Sequence, residues 1–90
     1  MYNILVCDDE RDIVAALKIY LSGGEYCVFE AYNGAEALET VRKNDIQLIL
    51  MDIMMPGLDG IAATAAIRRE SNAPIILLTA QSESSDTVLG

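Results

Sequence analysis

Three continuous apolar runs in this chain each stop on a polar side chain: Ile4-Leu5-Val6-Cys7 on Asp8, Leu48-Ile49-Leu50-Met51 on Asp52, and Ile75-Ile76-Leu77-Leu78 on Thr79. Short runs without polar alternation are expected of strands buried on both faces of a sheet. The stretches between them have a different period. Ile13, Leu17 and Leu21 recur at i, i+4 and i+8, with Val14 and Tyr20 flanking that face, and Gly23-Gly24 ends the pattern. That spacing predicts an amphipathic helix. Cys27 to Ala31 reads as a further strand. Asn33 with Glu36 three residues on has the form of a capping box, opening a helix that turns Ala37, Leu38 and Val41 inward and ends near Asn44. Met54 to Gly60 is a loop by its proline and glycine content, and an alanine-rich helix from Ile61 to about Glu70 presents Ile61, Ala65 and Ile67 to a core. Pro74 leads into the last strand, and the polar residues Gln81 to Gly90 open a fourth helix near Ser82 or Ser84.

The order βαβαβαβ predicts an α/β fold, a doubly wound parallel sheet with crossover helices. A length of 90 residues allows at most one domain, taken as 1–90. Strand 1 is expected between strands 2 and 3, giving the order 2-1-3-4. Parallel strands bring their C-terminal ends to one edge, so Asp8, Asp9, Asp52 and Thr79 converge there. The switch point between strands 1 and 3 is where open α/β sheets hold ligands.

Composition excludes several chemistries. Histidine and tryptophan are absent, which removes imidazole zinc sites, histidine general bases and the Ser-His-Asp triad. Fourteen acidic against six basic side chains give a formal net charge of −8, a balance that repels nucleic-acid phosphates. Cys7 and Cys27 lie within apolar runs without CxxC spacing, so two buried reduced thiols of a cytoplasmic protein are expected. Met1-Tyr2-Asn3 runs straight into the first strand without a signal peptide, and no apolar run is long enough to cross a bilayer.

Three carboxylates at adjacent strand ends repel one another. A hard divalent cation relieves that repulsion, and Mg²⁺ suits an all-oxygen site of one or two carboxylates plus phosphate. One acid alone would be read as a helix-start residue favoured by the macrodipole; three together point to a site.

Asp8-Asp9 after one strand, Asp52 after another, Met55-Pro56-Gly57-Leu58-Asp59-Gly60 behind it and Thr79-Ala80 after a third resemble, in order and spacing, the receiver domain of two-component response regulators, in particular the winged-helix transcription-factor branch. The resemblance spans nearly the whole chain and implies a flavodoxin-like fold. It implies that Asp52 accepts a phosphoryl group from a sensor histidine kinase. It also implies that Asp9 and Asp52 bind Mg²⁺ (or Mn²⁺) directly, that Asp8 acts through a water, and that the Met54 carbonyl completes the protein ligands. Thr79 would hydrogen-bond the phosphoryl oxygens, with the small Ala80 leaving them access. The family pattern continues to a fifth strand ending in a lysine, and to further helices. The last lysine here is Lys43, so within these residues that lysine, the fifth strand and the last helices are missing.

A phosphoacceptor switch, not a turnover enzyme, is therefore the expected function. Two other readings are an assembling fragment without signalling competence and a Mg²⁺-dependent phosphatase with an aspartyl-phosphate intermediate. The phosphatase reading is disfavoured because Met54 stands where such enzymes often carry a second acid. An uncovered strand 4 edge further predicts self-association as a homodimer or higher symmetric assembly.

Overall fold

A computed structural model describes residues 2–52 and 60–78. The elements are β1 (Tyr2–Cys7), α1 (Arg11–Leu21), β2 (Tyr26–Ala31), α2 (Gly34–Lys43), β3 (Leu48–Asp52), α3 (Gly60–Arg68) and β4 (Ile75–Leu78). The four strands form one sheet in the order β2-β1-β3-β4. All pairings are parallel, so the expected fold class and strand order hold.

Period-2 alternation along β1 explains why both faces are apolar. Leu5 and Cys7 face α2 and α3, packing with Ala37, Ile49, Met51, Ala63 and Ile67. Ile4 and Val6 face the other way and pack with Val14 of α1. Each fully buried aliphatic side chain of this kind contributes about 1.5–3 kcal/mol of transfer free energy. The register of β1 on β3 is pinned at the N-terminal end of the sheet. The Asn3 N–H donates to Gln47 Oε1 at 2.7 Å, and its side-chain amide donates to the Asp45 carbonyl at 2.7 Å. The Gln47 N–H returns a bond to the Asn3 carbonyl at 2.8 Å.

Helix α2 starts as its cap sequence predicts, with one difference. Asn33 Oδ1 accepts the Glu36 N–H at 2.8 Å. The Glu36 carboxylate, however, reaches past the cap residue to the N–H of Tyr32, also at 2.8 Å. Helix α1 begins without a side-chain cap bond at Glu10.

Several expectations about facing need correction. On α1 it is Val14 that is buried, with Ile13, Leu17 and Leu21 half-buried, while Tyr20 is exposed. Tyr20, which helical position places beside that face, sits at its edge on the side away from the buried Val14. On α3 the buried positions are Gly60, Ala63 and Ile67. Ile61 is 57% exposed and Ala65 is exposed. A helix this rich in alanine has a weak phase, and Gly60 proves to be helical instead of closing the loop. β1 and β2 start earlier than expected, at Tyr2 and Tyr26, whose rings meet edge to face with centroids 6.0 Å apart. Both cysteines are free; Cys7 is buried, but Cys27 only partly so. The loop from Met54 onward, the Thr79-Ala80 pair and the expected start of a fourth helix lie outside the described residues, with Gly60 excepted.

Candidate functional site

Asp8 and Asp52 directly follow Cys7 and Met51, which are register partners across β1 and β3. The backbone thus delivers two carboxylates side by side at the C-terminal edge of the sheet. They are the two buried charged side chains among the described residues, 3% and 2% exposed. Asp9, one residue further on, is exposed. One carboxylate oxygen from each of the three can be chosen so that all lie within 4.8 Å of one another.

The loop carrying Asp8 and Asp9 rests on the end of β2. The Asp8 N–H donates to the Ala31 carbonyl at 3.1 Å. The Cys7 thiol donates to the Asn33 carbonyl at 3.4 Å. Asp8 Oδ1 accepts the N–H of Glu10 at 2.9 Å.

Electrostatics reflect the crowding. Burial raises the Asp8 carboxyl from 3.8 to about 6; the bond from Glu10 opposes this, and the charges of Asp52 and Asp9 add to it. Beneath them, burial and then the charges of Asp8, Asp52, Glu36 and Asp9 push the Cys7 thiol up to about 12. That thiol stays protonated at neutral pH, and the side chains that converge on one point are Asp8, Asp9 and Asp52, without Cys7. The donor set is therefore oxygen alone, which suits a hard cation. In an octahedral Mg²⁺ site opposite ligands stand about 4.2 Å apart. The 4.8 Å bound on the oxygens of Asp8, Asp9 and Asp52 is close to that span, so the cluster fits Mg²⁺ with a small closure.

Three of the residues singled out from sequence, Asp8, Asp9 and Asp52, are brought together. Thr79 and Met54 lie outside the described residues. What sequence spacing did not disclose is the surrounding support. The Arg11 guanidinium stacks on the Tyr32 ring, 4.1 Å from its centroid, and no motif links two residues so far apart in the chain.

The match to the response regulator receiver domain model runs over residues 4–89. The chain belongs to this family. Among curated members, ResD of Bacillus subtilis, a transcriptional regulatory protein, is 45% identical over 88 residues, covering 98% of this chain and 37% of ResD. The response regulator GtcR of Aneurinibacillus migulanus is 39% identical over 88 residues, with 98% and 36% covered. The chain thus spans a little over a third of the length of these relatives. Among solved receivers, TrrA of Thermotoga maritima, crystallised with Mg²⁺-BeF, superimposes with a TM-score of 0.84 at 40% identity, covering 96% of this chain and 76% of that one. The chemotaxis protein CheY4 of Vibrio cholerae superimposes with a TM-score of 0.81 at 26% identity, covering 100% and 81%. As a receiver, the chain is a regulatory domain of two-component signalling. Among the described residues no helix is long and apolar enough to cross a membrane.

Proposed function

We propose that residues 1–90 act as a receiver unit in which Asp52 accepts a phosphoryl group from a phosphohistidine of a sensor kinase. A carboxylate oxygen of Asp52 forms a bond to phosphorus as the phosphorus–nitrogen bond of the donor breaks. The electron pair leaves with the imidazole, which takes up a proton, and an acyl phosphate remains on Asp52. The observation that carries this reading is the buried position of Asp52 at the end of β3, beside Asp8 and Asp9.

In such transfers a protein contributes positioning and charge neutralisation more than proton movement. Burial at the sheet edge holds the Asp52 carboxylate in place and limits its access to water. Asp8, Asp9 and Asp52, with the Met54 carbonyl, are the residues that would hold Mg²⁺, with Mn²⁺ as a substitute. When bound, the cation offsets the negative charge of the carboxylates and of the incoming phosphoryl group. Thr79 would donate its hydroxyl proton to a phosphoryl oxygen. The likeness to TrrA, whose structure contains Mg²⁺-BeF, supports this assignment.

The likeness to transcriptional regulators such as ResD supports a role as the phosphorylated input of a cytoplasmic gene regulator. Direct nucleic-acid contact by this segment is opposed by its charge of −8. Self-association belongs to the same reading: Ile76 and Leu77 of β4 are 50% and 42% exposed. Among the described residues β4 is paired on one side only, by β3. Such an edge is a template for another chain.

The test of the acceptor is direct. Acetyl phosphate with Mg²⁺ adds one phosphoryl group to the chain, detected by intact mass, and Asp52→Asn abolishes it. Undiminished labelling of the Asp52→Asn protein would assign another acceptor.

A further inference from the structure

We propose that Tyr32 is a positioning residue for the acidic site: its ring holds the Arg11 guanidinium away from the carboxylates and so keeps them open to a divalent cation. The inference rests on reading Asp8, Asp9 and Asp52 as a Mg²⁺ site. Arg11 opens α1 two residues after Asp9. It is the basic residue nearest to the acids in sequence. A guanidinium is permanently charged and pairs readily with a carboxylate. Asp9, exposed and two residues away, is its obvious partner.

That pairing is not what the structure holds. The guanidinium carbon lies 4.1 Å above the Tyr32 ring centroid. The ion pairs among the described residues are Lys18 with Glu30, Arg42 with Glu70 and Lys43 with Glu39, and Arg11 is in none of them. Its charge bears instead on Glu30 and Tyr32.

The platform is itself held at several points. The Tyr32 N–H donates to Glu36 Oε1 at 2.8 Å. Its hydroxyl donates to Glu30 Oε1 at 2.8 Å, and the other Glu30 oxygen is taken by Lys18 at 2.8 Å. The ring therefore presents a fixed face on the β2 side of the loop that carries Asp8 and Asp9. A cation stacked there does not compete for Asp9; a released one does.

Calorimetric titration with Mg²⁺ alone, at constant ionic strength, tests this in the wild type and four variants. Loss of an exposed cation–π contact corresponds to about a two- to five-fold change in an equilibrium. Tyr32→Leu is accordingly expected to bind Mg²⁺ two- to five-fold more weakly. Tyr32→Phe, which keeps the ring, binds as the wild type does. Arg11→Gln binds at least as tightly as the wild type, and the double variant Arg11→Gln/Tyr32→Leu returns to the Arg11→Gln value. A scaffold role for the stacked pair predicts the opposite for Arg11→Gln, so weaker binding in that variant overturns the proposal. Unchanged binding in Tyr32→Leu, or a double variant as weak as Tyr32→Leu, overturns it too. Asp9→Asn separates the two levels of the argument. If wild-type binding is absent, or survives Asp9→Asn, the metal reading fails and takes this proposal with it. If binding is lost in Asp9→Asn yet indifferent to Tyr32→Leu, only the role of Tyr32 fails.

Discussion

The Asp8 carboxylate accepts the Glu10 N–H at 2.9 Å, and that bond lowers its proton affinity by less than burial beside Asp52 raises it. The folded carboxyl titrates near 6 against 3.8 for an ordinary aspartate. The folded form therefore binds the proton more tightly than the unfolded form. The resulting stability is fully present below the unfolded value and is lost as pH rises through about 6. With chelator present, Asp8→Asn should melt higher than the wild type near neutral pH. The gap should close as the pH falls toward about 4. Thermal melts across that range check this; a gap independent of pH would show that Asp8 does not titrate there.

Helix α3 offers a paired core test. Ile67 is fully buried and Ile61 is 57% exposed. Ile67→Ala should cost about 2–5 kcal/mol. Ile61→Ala should stay within about 0.5 kcal/mol of the wild type. Urea unfolding of the two variants measures the difference, and equal costs would reverse the assigned facing of α3.

At the start of α2, Asn33→Ala removes the acceptor for the Glu36 N–H. A loss of about 1 kcal/mol is expected by denaturant titration. Asn33→Ser should recover most of it, because the hydroxyl can accept the same bond.

Binding of Mg²⁺ to the native state alone raises stability by mass action, by about 2.7 kcal/mol at a hundredfold excess over Kd. Millimolar Mg²⁺ should therefore raise the melting temperature of the wild type and leave Asp9→Ala nearly unmoved. Equal shifts in both proteins would remove Asp9 from the site.

The β4 edge is tested by light scattering on the 90-residue chain at micromolar concentration. A symmetric oligomer is expected, and a compact monomer would end the self-association reading. Ile76→Lys, at an exposed strand position, should weaken assembly more than Glu39→Lys on α2.

The positions of the strands and the acidic triad were legible because both depend on where apolar runs stop. Cys7 to Asp8 and Met51 to Asp52 are transitions that a parallel sheet converts directly into proximity. Facing on α3 was not legible, since Ala62, Ala63, Ala65 and Ala66 give burial little to discriminate. The Glu36 bond to Tyr32 in place of Asn33 is a matter of side-chain reach that a motif does not encode. The contact of Arg11 with Tyr32 arises from the packing of α1 beside β2, and residue spacing carries no trace of it.

The bonds joining Asn3 to Gln47 and Asp45 sit at the opposite end of the sheet from the carboxylates, yet they govern the same two strands. Sliding β3 by one residue along β1 would carry Asp52 out of step with Asp8 and turn its side chain to the other face. The chemistry at one end is thus indexed from the other, as the teeth of a zip are aligned by its first pair. A substitution at Gln47 that loosened this pairing would then reach the acidic cluster through strand alignment, with no change to any acidic side chain.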